Sequence, residues 1–271
     1  SFILGRCIFE FNRKRNQRMN WIGLSTLIKR EVGRFFSVYR QTVLPGLISS
    51  GLYIVIFGFT LEQRISEIQG IPYTLFILPG LIMMNTLTNA TANTSSSMLQ
   101  MKLLQQLPDL LTAPLSGLEI SLAYIIGGTV RGFVNGILVL MLGIILTDLT
   151  VVDPFGTVVF IFLVSWAFAS MGLILGQMTE SWDQLAMMQN FFLTPLSFLG
   201  GIFYSIKMLP EWAQSLSFIN PIYYMINGIR YTILGVSDSS VSVSFWMALI
   251  LTAVFTSIAI LLMQSGKKIK Q

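Results

Sequence analysis

The sequence predicts an all-α integral membrane protein. It should have six transmembrane helices, an N-terminal interfacial amphipathic helix, a short cytoplasmic helix between spans two and three, and two re-entrant half-helices between spans five and six. Three observations carry this prediction. Only 11% of the 271 residues are charged and 54% are hydrophobic, whereas a soluble domain typically carries about 25% charged residues. Apolar runs recur at the roughly 20-residue length that crosses about 30 Å of hydrocarbon. Basic residues crowd at the two ends: nine of the 17 Lys and Arg precede residue 41, and Lys267, Lys268 and Lys270 close the chain. By the positive-inside rule both termini are cytoplasmic, so the number of spans is even. Anionic lipid headgroups account for such juxtamembrane charge more simply than nucleic acid does.

Residues 1–18 are expected to be a basic extension, disordered or non-native, because a cleaner pattern opens at Met19. Residues 21–40 read as an amphipathic helix lying on the membrane. Trp21, Leu24, Ile28, Val32, Phe35 and Tyr39 recur at steps of three and four, and Lys29, Arg30, Gly33, Arg34 and Ser37 fall on the other side. The first span is placed at about 42–59, with Pro45 tolerable near its start. A short polar outer loop, 61–70, follows.

The second span, about 72–97, is apolar in its first half. Its second half reads NTLTNATANTSSS from Asn85 to Ser97. Small and hydroxylated residues at that density mark close helix packing or a wet surface. Asn89 and Asn93 each begin an N-x-[ST] match, discounted as glycosylation acceptors at the cytoplasmic end of a span.

The stretch between spans two and three is too polar to cross a bilayer. Leu103, Leu104, Leu107, Leu110 and Leu111 form one apolar stripe at helical spacing. Pro108 should split the stretch and open a second turn, with Asp109 in that first turn and a stop at Pro114. The result is a small amphipathic knob, either a handle for another protein or a plain connector.

The third span, about 120–146, carries Gly127, Gly128, Gly132 and Gly136, which let another helix approach. It also carries Arg131. A charge there costs about 2.5–3.5 kcal/mol on the insertion scale, so it should face protein or water. Two readings stay open: it touches an anionic substrate or headgroup, or it is paired structurally. The fourth span is about 154–177. The fifth begins near Gln184 and is stopped by Thr194-Pro195 and then Gly200-Gly201, giving about 184–203.

Residues 202–235 hold two helices too short to span, divided at Asn220-Pro221 and closed by Gly235 as a C-terminal cap. Irregular backbone at membrane depth is tolerated only inside protein or along a cavity. These read as re-entrant half-helices, with Tyr204, Trp212, Tyr223, Tyr224 and Tyr231 at interface depth. The sixth span is about 245–263.

Several chemistries are missing from the sequence. It has no histidine and a single cysteine, Cys7, so the commonest general base is gone and no cysteine-based metal cluster exists. No G-x-x-x-x-G-K-[ST] occurs, so the chain has no phosphate-binding loop of its own. Arg131 is the one ionisable group expected at a span centre, which disfavours ion coupling through midplane carboxylates. The energy source should therefore lie outside the chain.

The order of parts resembles the ABC-2 type exporter permeases, particularly the bacterial NodJ/YadH-like branch. The resemblance covers about 19–270. Its residues include Gln41, Thr42 and Pro45 entering span one, Leu78-Pro79-Gly80-Leu81 in span two, and Asp109-Leu110-Leu111-Thr112-Ala113-Pro114 in the knob. Further matches are Gly128 through Arg131-Gly132, Leu193-Thr194-Pro195-Leu196, Leu199-Gly200-Gly201-Ile202-Phe203-Tyr204, and Asn220-Pro221-Ile222-Tyr223-Tyr224-Met225.

The resemblance implies a single permease domain over 19–271 in a bacterial inner membrane. It implies a second copy of the chain and two copies of a separate ABC ATPase that binds the ATP and Mg. The permease itself would hold no cofactor. The knob then matches the coupling helix, with Leu103, Leu104, Leu107, Asp109, Leu110, Leu111 and Pro114, beside Lys29, Arg30 and Arg34 of the interfacial helix, as residues at the ATPase boundary. Similar proteins often carry glutamates just before the Leu-Leu pair, where this chain has Leu107-Pro108-Asp109. Candidates for the substrate path, chosen by polarity and position, are Arg131, Asn89, Asn93, Tyr204, Tyr223 and Tyr224. The expected function is an ATP-driven exporter subunit for an amphipathic, lipid-like or glycan-linked cargo or drug. The alternative is a self-contained secondary transporter or channel.

Overall fold

A computed structural model describes residues 19–60 and 67–265. The basic extension 1–18, most of the 61–70 loop and the basic tail lie outside these residues. Among the described residues, five helices are long and apolar enough to cross a membrane: Tyr39–Phe57, Tyr73–Leu103, Gly117–Thr147, Pro154–Met178 and Val241–Ser265.

Helix α1 is Trp21–Ser37, capped by Asn20, whose side chain accepts from the Gly23 amide. A break at Val38 and one turn at Tyr39–Thr42 lead into α2, Leu44–Tyr53, which widens into a π-helical segment at Ile54–Phe59. A two-residue hairpin, β1 Glu67–Ile68 and β2 Ile71–Pro72, turns through Gln69 (φ 56°) and Gly70 (φ 76°). Positive φ at both central residues is the type I′ turn that matches strand twist.

Helix α3, Tyr73–Leu103, is the axis of the fold. It is buried along most of its length and packs on α5, Gly117–Thr147, and α6, Pro154–Met178. The polar half of α3 is what allows this packing. Its hydroxyls bond within the bundle: Thr94 donates to the Ala169 carbonyl at 2.8 Å and Thr91 to the Phe168 carbonyl at 3.3 Å. Glycines face them. A Cβ on Gly132 would stand 3.0 Å from the Thr86 carbonyl, and one on Gly176 would stand 2.8 Å from that of Ser95. Any larger residue would push the helices apart, so small residues and interhelical hydroxyls do here what apolar burial does in water. Of the two readings open for this stretch, helix packing is the one observed over Thr91–Ser97.

The span boundaries follow local chemistry. The second span runs six residues past its expected end, through residues 98–103, and its hydroxyls are satisfied on their own helix carbonyls, Ser95 on Thr91 at 2.7 Å for example. Helix α5 starts at a capping box between Ser116 and Glu119. The segment expected as span five is helical from Trp182 to Leu199: α7 Trp182–Met188, a π segment Gln189–Leu193, and α8 Thr194–Leu199. The expected stop at Thr194-Pro195 does not occur. The π segment supplies the break in hydrogen bonding that Pro195 requires, and the helix resumes with Pro195 in its first turn. It ends at Gly200, followed by Gly201 at φ 82°.

The two short helices are α9, Glu211–Ile219, and α10, Pro221–Leu234. Asn220 caps α10, and Gly235 ends it in the left-handed region at φ 75°. Helix α11, Val241–Ser265, packs on α6 and α10.

Candidate functional site

The knob is α4, Leu107–Thr112, with Pro108 in its first turn and Asp109 beside it. Gln105, in the left-handed region at φ 54°, reverses the chain between α3 and α4. The expected break is present but falls at Gln105, ahead of Pro108, and the leucine stripe expected on one face is divided. Leu103 ends α3 and Leu104 lies in the turn, both exposed, while Leu107 and Leu110 are buried beneath α4 and Leu111 packs partly against the core. The physical reason is the turn: once the chain reverses, residues one helical turn apart in sequence no longer share a face.

Three contacts fix the segments on either side of the knob to the bundle. The backbone amide of Asn20 donates to Glu119. The Asn20 side chain donates to the Pro114 carbonyl at 3.2 Å. Lys102 reaches the last turn of α6, donating to the carbonyls of Gln177 (3.0 Å) and Thr179 (2.7 Å), where a cation meets the negative end of the helix dipole. The outward face left free carries Leu104, Pro108, Asp109 and Pro114, all exposed.

Helix α1 packs on α5 with a face that differs from the one expected. Leu24, Leu27, Glu31 and Phe35 are buried, while Trp21 and Tyr39 are exposed. Glu31 is only 1% exposed. It accepts from Ser97 at 2.7 Å and from Arg30 at 2.8 Å, and Arg34 stands 3.6 Å away. Arg30 also donates to the Tyr124 hydroxyl at 2.9 Å. Burial works against the Arg30 charge, but Tyr124 and Glu31 outweigh it and hold the guanidinium pKa above its ordinary value. Arg34, expected on the solvated face, turns inward to Asn93, donating to its carbonyl at 2.8 Å and to its side-chain oxygen at 3.2 Å. The pull is the buried carboxylate of Glu31, which a periodicity count of apolar residues leaves out. Lys29 is exposed.

Asn93 is the last of three asparagines one turn apart on α3. Asn89 receives Nε and Nη2 of Arg131 on its side-chain oxygen, at 3.2 and 3.1 Å. Asn89 in turn donates to the Asn85 carbonyl (3.0 Å), and Asn85 donates to the Ser50 hydroxyl of α2 at 2.6 Å. The ladder thus meets α2, α5 and α1 in succession. A cleft of about 230 Å³ opens beside it between α2 and α3.

The tyrosine candidates separate from this group. Tyr223 is 1% exposed, inside α10. Tyr204 and Tyr224 are half-buried and donate to the carbonyls of Phe198 (2.8 Å) and Phe218 (3.0 Å). They lie at the end of the bundle opposite the knob.

At that end is a cluster that sequence reasoning missed. The side chains of Arg230 of α10 and Asp238, 1% and 2% exposed, stand 3.5 Å apart. Arg230 donates to the Gly201 carbonyl at 2.6 Å and lies 4.1 Å over the Phe76 ring. Asp238 accepts from Ser205 (2.6 Å) and Gln69 (2.5 Å). One ion pair ties α3, α10, the hairpin and the segment after Gly200.

Span-length helices wrapped around a polar axis, with a short helix displayed between two of them, make a multi-span membrane protein of the transporter kind. A family model described as ABC-2 type transporter matches residues 23–234. The chain belongs to the ABC-2 type transporter family, as a membrane subunit. It is 36% identical over 250 residues to the inner membrane transport permease YadH of Escherichia coli K12, across 92% of this chain and 98% of that protein. Nodulation protein J of Neorhizobium galegae is 22% identical over 250 residues, 90% of this chain and 93% of the relative. That of Sinorhizobium fredii is 25% identical over 174 residues, 64% and 66% respectively.

Proposed function

We propose that the chain is the permease of an ATP-driven exporter of the bacterial inner membrane, working as a dimer with two copies of a separate ABC ATPase. The observation that carries the reading is the displayed face of α4. Its inner leucines are buried and the segments flanking it are tied to α1 and α6, yet Pro108 and Asp109, with Leu104 in the turn just before, are presented outward. A rigid handle with an apolar and acidic outer face suits a partner that moves.

The knob end is then cytoplasmic, as are both termini. The helix Trp182–Leu199 completes six spans, and α9 and α10 dip back from the outer side as half-helices. When ATP draws the two ATPase subunits together, α4 moves with them. Asn20, Lys102 and the Glu31 contacts pass that displacement to the ends of α1, α3, α5 and α6. The cargo is amphipathic, lipid-like or glycan-linked. The family match and the likeness to an inner membrane transport permease support this reading.

The test is co-expression with candidate ABC ATPase subunits of the same cell, followed by purification in nanodiscs. A two-plus-two complex that hydrolyses ATP is the expected result. A chain that captures no ATPase and still moves solute in liposomes is a self-contained transporter or channel instead.

A further inference from the structure

Arg131 stands near the middle of the 31-residue α5. It is half-buried, so part of it stays accessible. The other cations around the ladder have a carboxylate: Glu31 lies within ion-pair distance of both Arg30 and Arg34. Among the described residues no carboxylate lies within that distance of Arg131, whose hydrogen-bond acceptor is the neutral Asn89 oxygen. That oxygen takes the Nε–Nη2 edge of the guanidinium. The edge formed by the two terminal nitrogens remains for a ligand, and it is the geometry that receives phosphate or carboxylate through two parallel bonds. A cation at membrane depth without a counter-charge is costly, so the balance has to come from something that enters.

The neighbouring cleft has the shape of an amphipath's site. Its polar end is Asn85, Thr88 and Asn89, and its apolar end is Tyr53, Leu81 and Met84. Thr88 is exposed on that wall. Polar groups open at this depth are not suited to acyl chains.

We propose that Arg131, held in place by the Asn89 oxygen, binds the anionic headgroup of an amphipathic molecule whose apolar part lies along Tyr53, Leu81 and Met84. The inference rests on the permease reading and narrows its cargo to amphipaths bearing a phosphate, sulfate or carboxylate. Two sources share this chemistry, an anionic bilayer lipid and a cargo with an acidic head.

The experiment uses the full chain in phosphatidylcholine nanodiscs, with radiolabelled dodecyl phosphate as probe and empty discs as background. Saturable binding is expected, weakened at least about tenfold by Arg131→Gln and by less by Arg131→Lys, which keeps the charge but loses the two-bond fork. Asn89→Asp is the decisive variant. It places a carboxylate on the guanidinium at nearly unchanged size while giving up the amide hydrogen bond to the Asn85 carbonyl, so it should abolish probe binding while ATPase capture on the same samples shows the chain still folded. Dodecanol and inorganic phosphate should each compete poorly.

Competition by phosphatidylglycerol assigns the site to bilayer lipid, and indifference to it assigns the site to cargo. Asn89→Asp binding as tightly as the unaltered chain, or no saturable binding above empty discs, overturns the inference. ATPase capture is scored on the same samples. A chain that holds the ATPase but binds no dodecyl phosphate loses this inference alone. A chain that binds the probe but no ATPase loses the ATP-driven reading instead.

Discussion

Two buried charge clusters sit at opposite ends of the bundle, and they are built differently. At the knob end, Glu31 is shared between two arginines, and Arg30 keeps 42% of its side chain exposed. Arg34 Nε and Asn93 Nδ2 are buried there with no hydrogen-bond partner. At the far end, the side chains of Arg230 and Asp238 are 1% and 2% exposed and are met by Gly201, Ser205 and Gln69, and Arg230 Nε is likewise buried without a hydrogen-bond partner. The first cluster sets two arginines against one carboxylate and has a route to water. The second pairs one arginine with one aspartate away from water. A cluster that reaches water can exchange partners as α1 shifts, whereas breaking a buried pair strands a charge. The difference assigns movement to the knob end and rigidity to the far end, where the Arg230 pair ties α3, α10 and the hairpin together.

The comparison can be broken most severely at the Arg230 pair. Arg230→Met leaves Asp238 buried without its cation, and should lower stability by about 3–5 kcal/mol in detergent unfolding. Pairing it with Asp238→Leu should restore much of that loss, since an apolar pair of similar volume needs no counter-charge. A double variant as damaged as the single would show that the clamp's bonds to Gly201, Ser205 and Gln69 matter more than charge balance.

The effect at the open cluster should be smaller. Glu31→Gln keeps one acceptor oxygen, enough for Arg30 or Ser97 but not both, and loses the charge, so about 1–3 kcal/mol is expected. Because Arg30 reaches water, added salt should narrow the gap between this variant and the unaltered chain. The Arg230 variant should be insensitive to salt. Equal salt dependence at both ends would erase the distinction.

Much of the fold was legible because its signals are local. Pro154 opens a helix behind the Asp153 cap, and Asn220-Pro221 and Gly235 bound α10 as expected. Asp109 falls in the first turn of α4. Arg131 stood out as a lone charge in an apolar run, and the structure gives it the neutral partner Asn89. What stayed hidden depends on residues distant in sequence. Glu31 sits among arginines in a short amphipathic helix, a pattern that reads as a solvated face until Ser97 and Tyr124 close over it. Arg230 is separated from Phe76 and Gly201 by long stretches of chain, and nothing in its own neighbourhood announces burial. The divided leucine stripe turned on one left-handed residue, Gln105, of a type that rarely adopts that conformation.

The central claim is that the outer face of α4 is where an ATPase grips the permease. It is tested most directly by combining Leu104→Glu with Asp109→Lys. Both positions are exposed, so the chain should fold and insert with unchanged stability. ATPase capture and ATP-dependent transport would then be measured on the same nanodisc preparation. The account predicts a folded permease that loses its ATPase or hydrolyses ATP without transport. A variant that still binds the ATPase and transports at the unaltered rate would contradict it.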